Sequence, residues 1–103
     1  MFRRSRFGDL VRRQLDLFEH EQAYVLDDAV EKLRLYNAAE RDEAEELYGD
    51  YVDAVETGAE ALAEVRDHYA RALDEPEAEA YIGEFNRAAS RRFPRFGREL
   101  QDI

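Results

Sequence analysis

The sequence predicts an all-α fold: a long antiparallel helical hairpin with a shorter third helix against it, completed by pairing with a second copy. Three observations predict it. Ala44, Tyr48, Tyr51, Val55, Gly58, Leu62, Val65, Tyr69 and Ala72 recur at alternating spacings of four and three, the seam of a heptad pattern. A second stripe, Val11, Leu15, Phe18, Gln22, Val25, Ala29, Leu33 and Tyr36, precedes it at the same period. Between them lies one short polar break, Asn37 to Asp42, and a short connection between long helices turns the second back along the first. Paired residues then carry numbers summing to about 80, as in Tyr36 with Ala44, Val25 with Val55 and Phe18 with Leu62.

In chain order, residues 1–8 mix Phe2, Phe7 and Gly8 with arginine and read as a basic arm. Asp9 is positioned to cap a first helix over 9–36, because its carboxylate accepts from free backbone amides. Asn37 or Asp42 is expected to cap a second helix over 42–73. Gly58 lies inside that helix, where glycine costs about 1 kcal/mol relative to alanine. The seam keeps its phase across Gly58, so the helix is expected to continue, with the glycine accommodating Gln22 opposite or marking a close approach. Asp74-Glu75-Pro76 stops the second helix and opens a third over 76–92, with an apolar stripe of Ala78, Tyr81, Ile82, Phe85, Ala88 and Ala89. Pro94 ends it, and 93–103 reads as a basic tail.

The length of 103 residues suits one domain with one core. The chain has no cysteine, which removes disulfides and thiolate metal sites. No stretch approaches the roughly 18 apolar residues of a membrane span, so a soluble cytoplasmic protein is the expectation. The net charge of −10 is segregated: residues 1–14 carry +4, residues 86–103 carry +3, and 15–85 carry −17. An acidic body opposes binding along a phosphate backbone, so no nucleic-acid partner is expected. The Arg- and Phe-rich ends suit an acidic protein surface first and an anionic membrane second.

Motifs for chemistry are sparse. Glu60, Glu64 and His68 stack at spacings of four, the most metal-like arrangement present, and carboxylates with imidazole suit iron, manganese or zinc. Dinuclear helical bundles use paired Glu-x-x-His; here the spacing is Glu-x-x-x-His, occurs once and lies off the seam, so a solvated charged face is the expectation. With two serines, no cysteine and no glycine-rich phosphate loop, neither catalysis nor a cofactor is expected.

The surface carries the functional signal. Leu10, Leu17 and Tyr24 repeat every seven residues away from the seam of the first helix, with Leu35 nearby. A third helix of 17 residues reaches about 25 Å, too short to cover a hairpin of about 42 Å. Either the tail folds back over the remainder or a second copy does. The expectation is a non-enzymatic scaffold or adaptor acting by helix-helix association as a homodimer. Leu10, Leu17, Tyr24 and Leu35 would form the contact, and Arg91, Arg92, Arg95 and Arg98 would orient it.

Overall fold

The computed structural model describes residues 6–103, so the arm expected over 1–8 lies mostly outside the described residues. These form five helices and no strand: α1 (Gly8–Glu21), α2 (Ala23–Asn37), α3 (Ala44–Ala70), α4 (Glu75–Arg92) and α5 (Pro94–Asp102). No helix among them is long and apolar enough to cross a membrane.

The helix expected over 9–36 is two helices separated at Gln22, whose φ of −111° and ψ of 28° leave the helical region. Neither glycine nor proline marks the break. Its N–H still donates to the Phe18 carbonyl at 2.8 Å, and its carbonyl accepts from Val25 at 2.9 Å, so Gln22 itself keeps both backbone hydrogen bonds across the break. The bend divides the partners: α1 packs on α4, whereas α2 packs on α3. Phe18, expected against the central helix, shares one buried cluster with Leu62 of that helix and also makes an edge contact with Phe93 at 5.5 Å between ring centroids. Further along, Tyr36 meets Tyr48 at 5.1 Å and the ammonium of Lys32 lies in the field of Asp50, so α2 and α3 run antiparallel into their connection.

Two of the expected caps are absent. Asp9 lies inside the first turn of α1, after Phe7, and α3 begins after Glu43 with no side-chain cap. Asp74 does cap α4, its carboxylate accepting from the Glu77 N–H at 3.0 Å with Pro76 in the first turn. The central helix runs unbroken through Gly58, and the Thr57 hydroxyl donates back to the Asp53 carbonyl at 2.9 Å instead of opening a new helix.

The basic tail is also a correction. Phe93, outside the helical region at φ −127°, ψ 70°, turns the chain, and Pro94 starts α5. Phe93, Phe96 and Leu100, spaced by three and four, are all buried. α5 packs into the angle between α3 and α4, and two glycines set how close it comes. A Cβ on Gly58 would stand 2.6 Å from the Phe96 ring, and one on Gly97 would stand 2.8 Å from the Ser90 Cα. The close approach at Gly58 is therefore made by α5, not by Gln22.

The core joins Phe7, Val11, Leu15 and Phe18 of the first segment to Ala59, Leu62 and Ala63 of α3, Tyr81, Phe85 and Ala89 of α4, and the three residues of the last segment. Phe7, expected in the arm, packs edge-on against Tyr81 at 5.5 Å. Arg66 is the one buried charged side chain among the described residues, at 4% exposure. Its guanidinium donates to Asp67 Oδ1, Asn86 Oδ1 and the carbonyls of Leu100 and Ile103, so it caps the C-terminus of α5.

Candidate functional site

The four-helix body ends where α2 and the first half of α3 leave it. No residue from Val30 to Asp53 is buried. This stretch is a two-helix arm, 30–37 of α2 beside 44–53 of α3, about 12 and 15 Å of helix, and only at its root, where Ala29 is buried and Leu26 and Tyr51 pack on the core, does it join the body. The molecule measures 52 × 26 × 25 Å.

The arm is not polar enough to be a solvated pair. Tyr24 is 70% exposed, and Val30 and Tyr48 about half; Leu26, Leu33, Leu35, Leu47 and Val52 are half-buried. By helical spacing Val30 lies on one flank of α2's seam, beyond Leu26, which packs on the core, and Tyr24 and Leu35 lie on the other. A helix apolar on both flanks is built to be covered on more sides than one neighbour covers. Residue Leu17, 55% exposed, extends the outer line back onto α1. Leu10, the fourth residue expected there, is half-buried against the core.

The arginines divide differently from the expectation. Arg92 ties α1 to α4 by pairing with Asp16 at 2.5 Å and Glu19 at 3.2 Å. Arg91, Arg95 and Arg98 are exposed, and among the described residues none has a carboxylate within ion-pair distance. Arg91 and Arg95 flank Phe93, close to where Phe96 meets Gly58, which puts them at the root of the arm. The tip carries Glu40, Asp42, Glu43, Glu45 and Glu46, all exposed, against Arg41 alone.

A groove of about 980 Å³ runs between α1 and α4, with Val11, Leu15 and Gly83 among its lining and Arg87 and Arg91 along it. Its lining holds the carboxylates of Asp9, Glu79 and Glu84 and the arginines Arg12, Arg87, Arg91 and Arg92 beside its apolar residues. Glu60, Glu64 and His68 are exposed on α3, and among the described residues no three His, Cys, Asp or Glu side chains are grouped to hold a metal ion. Phe93 and Phe96, the apolar half of the C-terminal basic-aromatic segment, are in the core and are not available to insert into a bilayer.

Against known proteins the chain finds no counterpart: no family model matches it, and no curated protein or solved structure matches it significantly.

Of the four apolar residues expected at a contact, Leu17 and Tyr24 are exposed; Val30 and Tyr48, also exposed, are not among them. Tyr48 was hidden by its place on the seam: with no third helix at that level, a seam position next to the tip stays half open.

Proposed function

We propose that this chain is a non-enzymatic interaction protein, a scaffold or adaptor that works by helix-helix association, and that its first partner is a second copy. One observation carries the reading: an arm of two helices, apolar on both flanks of its seam, projects from a finished core with no residue buried between Val30 and Asp53. The tail does not cover it, because α5 ends its path between α3 and α4 within the body. Covering the arm with another hairpin completes the helix-on-helix layer that an isolated pair lacks.

The association uses Leu17, Tyr24 and Leu35 together with Val30 and Tyr48, and the arginines Arg91, Arg95 and Arg98 orient it. Leu10 and Arg92 support the surface from within the body. The expected site of action is the cytoplasm.

Sedimentation equilibrium tests the reading. The protein is expected to be a dimer at high micromolar concentration, and a variant with Leu17→Glu and Tyr24→Glu, both exposed, is expected to fold normally and to remain a monomer. A native chain that stays monomeric throughout that range overturns the proposal.

A further inference from the structure

Among the described residues of one copy, two sets of charges have no ion-pair partner. The tip acids Glu40, Asp42, Glu43, Glu45 and Glu46 form no ion pair among the described residues, and neither do Arg91, Arg95 and Arg98. They cannot meet within the molecule. The tip begins α3 at Ala44, the arginines lie near the level of Gly58, and fourteen residues of helix hold the two about 21 Å apart.

Resting on the association reading above, we propose that two copies pair antiparallel along their arms, the acidic tip of each lying on the arginine ridge at the α4–α5 junction of the other. Tip and ridge lie at opposite ends of the arm, so one inverted overlap brings both charge contacts together and lays the apolar flanks of the two arms side by side. The contact is isologous: the same two patches meet twice, related by a two-fold axis. A parallel pairing would set five carboxylates against five at the tips and leave both ridges bare. Since each copy carries −10, overall repulsion favours the arrangement in which positive faces negative locally.

Charge exchange tests the orientation. One variant carries Arg91→Glu, Arg95→Glu and Arg98→Glu; the other carries Glu40→Arg, Asp42→Arg and Glu43→Arg, all in the connection before α3. Each alone sets like charges together at both contacts and is expected to self-associate at least about tenfold more weakly than the native chain. Mixed in equal amounts, the two restore opposite charges at both contacts and are expected to form a heterodimer of about native affinity. Native dimers with unweakened variants and no heterodimer preference overturn the orientation and leave the association reading standing; a native chain that never associates overturns both.

Cross-linking gives an answer independent of how the variants fold. The chain has no cysteine, so Arg41→Cys marks the tip alone and Arg95→Cys the ridge alone. A mixture of the two proteins is expected to link tip to ridge in preference to tip to tip. Preferred tip-to-tip linkage contradicts the proposal.

Discussion

Gly58 and Gly49 lie on the same helix and answer to different neighbours. Alanine at Gly49 meets nothing within 4 Å, so Gly49→Ala is expected to stabilise by about 0.5–1 kcal/mol through helix propensity and a less free unfolded chain. Alanine at Gly58 gains the same propensity but drives a methyl group into the buried Phe96 ring, and overpacking of about 1–3 kcal/mol outweighs it. Urea unfolding of the two variants checks this; stabilisation by both would show that α5 does not sit where it is described. Tyr81 gives a pH signature. Its ring is fully buried, its hydroxyl donates to Gln14 Oε1 at 2.8 Å, and burial pushes its pKa up from 10.0 to about 12. The unfolded chain therefore releases this proton first, and stability is full below pH 10 and falls through the interval up to about 12, by about 2 kcal/mol. Chemical unfolding at stepped alkaline pH reads the slope, and Tyr81→Phe is expected to flatten that part of it.

At the scale of elements, the seam of the hairpin could be read from spacing because each helix carries its own period. The break at Gln22 could not: Phe18, Gln22 and Val25 keep spacings of four and three through it, so a change of partner from α4 to α3 leaves no trace in the pattern. The last helix was hidden by composition. Arg95, Arg98 and Glu99 make 93–103 look like a solvated tail, yet Phe93, Phe96 and Leu100 at helical spacing behind Pro94 were the available signal. Arg66 holds that helix. Arg66→Met would leave Asn86 Oδ1 and the Ile103 carbonyl without this donor and the Leu100 carbonyl with the Ile103 N–H alone, at an expected cost of about 2–3 kcal/mol, and Arg66→Lys would recover only part because it lacks the fork. Amide hydrogen exchange is expected to show α5 opening first in both variants. Uniform destabilisation with α5 still protected would contradict this role.

On the scale of the molecule, a closed body and an uncovered arm share one chain. The body completes its layers internally: α1 lies on α4, α5 fills the angle between α3 and α4, and no buried side-chain nitrogen or oxygen among the described residues lacks a partner. The arm completes none of its own. If a second copy covers it, stability becomes dependent on concentration, and the midpoint of thermal unfolding is expected to rise as the protein is concentrated from low to high micromolar. The site was legible only in part for a related reason. Spacing shows which residues lie off a seam, but how much of a helix its neighbours leave bare depends on where α4 and α5 stop, and that is set by Pro94, Gly58 and Gly97 acting across the fold. The most direct measurement is amide hydrogen exchange on dilute and concentrated native protein, resolved by segment. Protection in residues 26–36 and 44–53 is expected to increase with concentration while that of α4 and the second half of α3 stays constant; an arm whose exchange is indifferent to concentration would contradict the claim that it is the surface through which this protein works.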